Sequence, residues 1–392
     1  MAARRKYDII VFGATGFTGG LTAEYLARHA GEKLRWALAG RNRDKLAQVR
    51  ERLAKINPDC AALPLLDADI GDADSMRAMA ASSKVVITTV GPYIHYGEPL
   101  VAACAEAGTD YVDLTGEPEF VDCMWLRYHE QARNSGARIV HCCGFDSIPH
   151  DLGAYFTVQQ LPEDVPLKVE GFVRAGGTFS GGTLHSAITA FSRVRETASV
   201  SRKRRALDAW PLDRKIGSTR QTIHRIDAFS AWAVPMPTID PQIVRRSAAA
   251  LDRYGPNFRY GHYVLVKKFS RVALLVGGVA GLFAGAQVKL TRERLLKLRN
   301  PGQGPSEEQR RKGWFRVRFI GEGGGRRVVT EVSGGDPGYG ETSKMLAESA
   351  LCLAQDRLPK KGGVLTTAQA MGDALTERLM AAGIQFKVLE SA

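Results

Sequence analysis

Residues Asp8 to Gly20 read DIIVFGATGFTGG: an apolar strand that runs into glycines at 13, 16 and 19, with a helical stretch from Leu21 to His29 behind them. Each glycine answers a separate physical need. At Gly13 the chain must turn sharply off the strand, at Gly16 backbone N–H groups must approach a pyrophosphate, and at Gly19 the helix must lie close against the sheet. Unpaired N–H groups and the positive end of the dipole at a helix N-terminus favour anions. Gly13, Thr15, Gly16, Phe17, Thr18 and Gly19 are therefore the candidate contacts of a dinucleotide. A second strand from Leu34 to Ala39 completes the context in which that glycine spacing is informative.

The second strand ends in Gly40-Arg41-Asn42-Arg43-Asp44-Lys45. A carboxylate placed here would accept from the ribose 2′-OH of NAD, and none is present. Gly40 followed by Arg41 and Arg43 suits a 2′-phosphate instead, hence NADPH. For Arg43 the competing role is a solvated position at the start of the next helix. Further apolar runs at Ala62–Leu66, Lys84–Val90, Tyr111–Leu114 and Arg138–Cys142 alternate with helical patterns such as Glu98–Ala107 and Glu119–Asn134. This is the signature of a doubly wound parallel (Rossmann) sheet in an α/β protein. Ligands gather beyond the carboxyl ends of such strands. Asp69 would then lie near the adenine, and Val90, Gly91 and Pro92 under the nicotinamide ribose. Helix capping is the rival role for Asp69.

After Asp151 the regular alternation is lost. A glycine-rich stretch at Gly171–Gly182, a helical pattern at Thr183–Ser192 and strand-like runs at His262–Phe269 and Phe315–Phe319 predict a mixed α+β second domain. The pairs Gly176-Gly177 and Gly181-Gly182 fit a substrate loop or a plain strand-to-helix connection. Leu296–Lys312, with its PGQGP, reads as a loop, and Gly321–Arg327 as a hairpin turn. Val272–Val288, VALLVGGVAGLFAGAQV, is the longest uncharged stretch and is flanked by Arg271 and Lys289. It sits at the lower limit of the ~17–25 apolar residues that cross a bilayer. Three roles remain open for it: insertion into a lipid surface with basic flanks on the headgroups, a buried helix, or an oligomer contact.

A chain of 392 residues with 44% hydrophobic and 24% charged content has room for a large core and two or three domains, which excludes a disordered protein. Tyr7 already begins the first strand, so no secretory leader is expected. Six cysteines without C-x-x-C spacing point to free thiols in a reducing cytoplasm and not to a metal site. The net charge of +13 gathers at Arg202–Arg205, Arg245-Arg246 and Arg310–Lys312. Such clusters attract anions, an anionic bilayer or an acidic carrier protein among them, with a solvated face as the rival role of each. Nucleic acid is not expected, because no recognition helix, metal finger or stacking motif accompanies the charge. Tyr263 and Lys267 have the Tyr-x-x-x-Lys spacing of short-chain dehydrogenases, but they fall in a strand-like run, where four residues separate side chains by ~13 Å.

The GATGFTG loop, AGRN at Ala39–Asn42, GPY at Gly91–Tyr93, YVDLTGE at Tyr111–Glu117 and GFDSIPHDLG at Gly144–Gly153 resemble the saccharopine dehydrogenase-like oxidoreductases. VPMPTIDP at Val234–Pro241, GPNF at Gly255–Phe258 and the run from Val332 to Ala350 are similar to the trans-acting enoyl reductase branch. The resemblance implies an NADPH-dependent enzyme that saturates a double bond on a small-molecule or carrier-bound acyl chain, in partnership with a polyketide synthase that lacks the activity. It implies three segments: a dinucleotide-binding domain over 1–145, a substrate domain over 146–335 with the apolar insert 272–288, and a C-terminal segment 336–392 whose helix returns to the first domain. A cytoplasmic protein, peripheral on the inner membrane surface and open to oligomerisation, fits that family. Enoyl reduction needs a donor to the thioester carbonyl and a proton for the α-carbon. Tyr93 is the first candidate, with packing under the cofactor as its rival role, and His95, Asp146 and His150 are the others. Ser147 is expected to cap the helix behind it. A saccharopine-type amino-acid oxidoreductase and a lipid-associated protein without catalysis are the alternatives.

Overall fold

The computed structural model describes residues 5–177, 181–208, 210–297 and 304–392. The chain forms two compact units. The first comprises Met1–Phe145, Gly302–Gly304 and Gly338–Ala382; the second comprises Asp146–Pro301, Pro305–Pro337 and Gly383–Ala392.

The first unit is built on seven strands: β1 (Tyr7–Phe12), β2 (Trp36–Gly40), β3 (Leu65–Asp67), β4 (Ser83–Thr88), β5 (Asp110–Val112), β6 (Arg138–Val140) and β14 (Gly363–Leu365). They stand in the order β14-β6-β5-β4-β1-β2-β3, all parallel. β1 and β2 are buried at every position because helices cover both faces, which is why they read as continuous apolar runs. The chain winds outward from β1 to β3 and then crosses back to β4, so the winding reverses between β1 and β4. Helix Glu98–Ala107 carries proline in its first turn and ends at Gly108 (φ 66°); helix Pro118–Ser135 opens on proline and ends at Gly136 (φ 84°). Proline tolerates the missing donor at a helix start, and glycine takes the left-handed turn at its end. Helix Gly340–Gln355 lies against helix Phe17–His29 and β4, fastened by Tyr25 Oη donating to Glu348 Oε1 at 2.7 Å.

The second unit is a mixed sheet of β7 (Leu167–Gly176), β8 (Lys215–Ser218), β9 (His224–Ile226), β10 (Ala231–Pro235), β11 (Asn257–Val266), β12 (Trp314–Gly323), β13 (Arg326–Gly334) and β15 (Gln385–Ser391). The order is β15-β13-β12-β7-β11-β10-β9, with β8 on β11. Among the described residues of this unit, only β7–β11 and β8–β11 are parallel pairs. Helix Ile148–Val158 packs on β12 and β13 through Gly153, where an added Cβ would lie 2.4 Å from the Phe319 ring.

Three expectations are corrected in detail. The strand expected at His262–Phe269 begins at Asn257 and stops at Val266, and Phe269 instead opens a helix that runs to Gln287. Helices of the C-terminal segment do belong to the first unit, but Gly383–Ala392 joins the second, because β15 extends the sheet edge at β13. The proposed loop at 296–312 contains the capped helix Glu307–Arg311, while 298–303 lie outside the described residues. Of the two readings of the glycine pairs, the strand-to-helix connection holds: Gly176 ends β7 and Gly181 opens the helix Gly181–Ser192, while 178–180 lie outside the described residues.

Candidate functional site

At the carboxyl end of β1, Gly13 adopts φ 93°, and an added Cβ would fall 2.8 Å from both Thr89 Oγ1 and Val90 Cγ2. A Cβ on Gly19 would meet the Gly13 carbonyl oxygen at 2.3 Å, so the first turn of the helix sits directly on the loop. Gly16 differs. Its nearest neighbour to such a Cβ is Gly13 O at 3.4 Å, ordinary contact, and the residue itself is exposed. Gly13 and Gly19 thus shape the protein, while Gly16 keeps the space in front of the loop clear. Thr89 Oγ1 donates to Gly13 O at 3.2 Å and ties the loop to the end of β4. The helix Phe17–His29 starts at Gly16 with no side-chain cap and no acidic residue in its first turn. This cradle fits a pyrophosphate: the positive end of the helix faces it and its first turn carries no carboxylate to compete. Thr15 is exposed; Thr18 is half-buried and its carbonyl accepts from Thr22 Oγ1. Phe17 packs edge-on against Tyr339, ring centres 4.8 Å apart.

At the end of β2, Arg41 is exposed and has no ion pair among the described residues. Arg43 is held by Asp67, Nη1 to Oδ2 3.1 Å, a fully solvated pair. Asn42 caps the following helix by accepting from Lys45 N. Asp69 Oδ1 accepts from Gly71 N at 2.9 Å, so this carboxylate organises the turn after β3; Asp72 caps the next helix by accepting from Asp74 N. Val90 and Pro92 are half-buried and Gly91 is exposed beyond β4, beside the glycine loop.

Tyr93 does not present its phenol to a substrate. Burial drives its pKa far upward, and the hydroxyl donates to Thr88 O and accepts from Leu114 N, both at 3.2 Å. The ring packs on Phe120. These bonds correct the proton-donor expectation, because the hydroxyl is buried and engaged on both its donor and its acceptor side. Glu117 holds the same turn, accepting from Tyr93 N at 3.1 Å and Ile94 N at 2.8 Å. His95 is exposed on the short helix Tyr93–Tyr96, with its ring edge-on to Tyr96.

Asp146 and His150 open the second unit, where a buried polar cluster surrounds Asp240. Ser147 is held at φ 139° and makes no side-chain cap; its hydroxyl goes to Asp240 Oδ1 at 3.3 Å, which corrects the expected capping role. Thr238 Oγ1 donates to Asp240 Oδ2 at 2.5 Å. His150 Nδ1 lies 3.9 Å from Asp240 Oδ1, His262 Nε2 lies 3.4 Å from Oδ2, and the two rings are 4.9 Å apart. Tyr260 Oη is 3.3 Å from His262 Nδ1 and orients that ring. Ligand atoms of His150, Asp240 and His262 fall within 4.8 Å of one another, the donor types a divalent cation takes.

Burial lowers the pKa of both imidazoles, that of His262 to about 4. Burial opposes ionisation of Asp240, yet the neighbouring imidazoles and Thr238 hold its carboxyl below the ordinary value. The imidazole contribution exists only while a ring carries a proton, and burial keeps both rings neutral at pH 7. The hydroxyls are thus the lasting support of the Asp240 anion. Surrounding protein and the Asp240 charge push Asp146 up to about 7, although this residue is open to solvent, which screens the effect. Asp146 is the sequence candidate whose carboxyl is pushed upward, toward its acid form. Sequence reasoning passed over Asp240 and His262: the first sat in a quoted motif without a role, the second inside a strand pattern. Only the pairing of helix Asp240–Ala250 with β11 brings them beside His150.

Residues 9–140 match the family of saccharopine dehydrogenase NADP-binding domains. A Mycobacterium tuberculosis protein provisionally named a trans-acting enoyl reductase is 41% identical over 100% of this chain and 99% of its own length. The trans-acting enoyl reductase of Mycobacterium bovis is 38% identical over 97% of each chain. The chain belongs to the saccharopine dehydrogenase-like oxidoreductases, in the trans-acting enoyl reductase branch. Saccharopine dehydrogenase (L-Glu forming) from Saccharomyces cerevisiae shares the fold, with a TM-score of 0.56 at 12% identity over 98% of this chain and 100% of that one. As a member of this family the protein is an NADPH-dependent oxidoreductase.

Proposed function

We propose that the protein reduces the α,β double bond of an acyl thioester carried by a separate synthase, a polyketide synthase lacking this step. The observation that supports this most is the full-length similarity to trans-acting enoyl reductases, which extends through the second unit as well as the nucleotide cradle. NADPH supplies the hydride for the β-carbon. The chain's own residues bind and orient: the cradle of Gly13, Gly16 and Gly19 receives the pyrophosphate, and Arg41 takes the 2′-phosphate. Hydride addition leaves an enolate whose α-carbon needs a proton. Asp146 supplies it, its acid form favoured by the surrounding protein and the Asp240 charge and its side chain open to solvent for reloading. Surrounding protein raises Asp146 first and the Asp240 charge adds to it, while the hydroxyls of Ser147 and Thr238 hold Asp240. In this reading the enzyme works in the cytoplasm at the inner membrane face, where lipid-linked acyl chains lie.

The test is NADPH oxidation with enoyl thioesters of increasing length on coenzyme A and on a carrier protein, run beside NADP+ reduction with saccharopine, which is already the reduced partner of its couple. Turnover of the enoyl series alone supports the proposal. Turnover of saccharopine alone would replace it with the amino-acid reading.

A further inference from the structure

The helix Phe269–Gln287 is 19 residues long and almost wholly apolar, yet Val272 and Ala286 are its only buried residues. From Ala273 to Gly281 every residue is exposed, including Leu274 at 76%, Leu275 at 36%, Val276 at 43% and Val279 at 39%. Phe283 follows at 41%. Around Gly277, Gly278 and Gly281 an added Cβ would meet nothing within 4 Å. A monomer that leaves such a continuous patch in water raises its own free energy, so the patch has an occupant.

Charge indicates which one. Between Lys267 and Lys297 the chain carries Lys267, Lys268, Arg271, Lys289, Arg292, Arg294 and Lys297 against a single acid, Glu293. These cations lie just outside both ends of the apolar run, and none has an ion pair among the described residues. An apolar stripe with cationic ends complements a bilayer whose headgroups are anionic. The fastening at both ends sets the orientation. Phe269 packs on Trp232 with ring centres 4.9 Å apart, Phe283 packs on Phe191 at 5.7 Å, and Gln287 Nε2 donates to Phe191 O at 2.7 Å. A helix of ~28 Å pinned to its own domain at both ends cannot stand upright through a ~30 Å hydrocarbon core.

We propose that the helix Phe269–Gln287 lies in the plane of an anionic membrane surface, its apolar residues among the acyl chains and its flanking lysines and arginines on the headgroups. This specifies the membrane position in the reductase reading but stands on separate evidence, since a protein that reduced nothing would still dock. The test is flotation of the full-length protein with phosphatidylcholine vesicles, with and without about a third phosphatidylglycerol. Each cation that reaches the surface strengthens binding about fivefold, so partition into anionic vesicles should exceed that into neutral ones by at least about tenfold and weaken in salt. Leu274→Asp combined with Val279→Asp changes only exposed positions. It should abolish flotation while the thermal midpoint and NADPH affinity stay as in the parent.

Equal recovery with and without vesicles would overturn the proposal. So would a dimer, seen by sedimentation velocity and lost in the double variant, which would make a second copy the occupant. Resistance to alkaline carbonate extraction from cell membranes would overturn the in-plane orientation in favour of a spanning helix. Enoyl turnover in detergent-free solution is read separately, so its failure would count against the reductase reading and leave docking untouched.

Discussion

Two alanine substitutions in one loop should fail in different ways. At Gly19 the new methyl would sit 2.3 Å from the Gly13 carbonyl oxygen and 2.6 Å from Thr89 Oγ1. Backbone cannot rotate away as a long side chain can, so the loop and helix must part by about 1 Å, the scale of overpacking that costs ~1–3 kcal/mol. At ~2–4 °C per kcal/mol for a unit of this size, the thermal midpoint should fall by about 5 °C, and NADPH binding should fall with it. At Gly16 the same methyl finds its nearest atom at 3.4 Å and the residue already has an ordinary extended backbone, φ −79°. The apoprotein should therefore melt within about 1 °C of the parent, since an exposed substitution free of clashes shifts stability little.

The cost of Gly16→Ala should appear in binding alone. The methyl points where phosphate oxygens approach the N–H groups, and lengthening one hydrogen bond to a charged group loses ~1.5–3 kcal/mol, about 10- to 100-fold in Kd. Differential scanning fluorimetry on apoprotein and titration of NADPH fluorescence read the two quantities independently. Equal melting losses in both variants, or a Gly16→Ala protein that binds NADPH like the parent, would refute this division of labour within the cradle.

Arg41→Asp should weaken NADPH by at least about tenfold and leave NADH nearly unchanged, because only the former carries the 2′-phosphate; equal losses by titration would remove Arg41 from that role. If Asp146 is the acid, kcat should decline as pH rises through about 7, and Asp146→Asn should flatten that limb while NADPH affinity persists; an unchanged profile points to another donor. His262 has a folded pKa of about 4 against an ordinary value of 6.5. Between those values the unfolded chain binds a proton that the folded one refuses, so stability is full above about 6.5 and falls on acidification by ~1.4 kcal/mol per pH unit. Urea melts at pH 7 and 5 should show this loss, and His262→Asn should reduce it.

What could be read in the sequence followed from how local each signal was. The nucleotide cradle is encoded within thirteen consecutive residues, Asp8 to Gly20, where a turn, a close approach and a helix start each demand glycine. Most of the parallel sheet was equally legible, since strands buried on both faces, such as β1 and β2, cannot hide their apolar runs; β14, three residues long and far along the chain, was not. Tyr93 was misjudged because position after β4 says where a residue lies and not where its hydroxyl goes; Thr88 O and Leu114 N, five residues before it and 21 beyond, claim it. The Asp240 cluster was harder still. Its members are spread over more than a hundred residues, on helix Ile148–Val158, helix Asp240–Ala250 and β11, and no periodicity links them. The apolar segment gives the converse case: its length and flanks were plain, but burial decides between core and membrane, and burial is a property of the fold. Once Leu274 stands 76% exposed while Val272, two residues earlier, is buried, the core role is excluded. Chemistry that rests on neighbours in sequence can be read from sequence; chemistry that rests on a carboxylate meeting two distant imidazoles needs the folded chain.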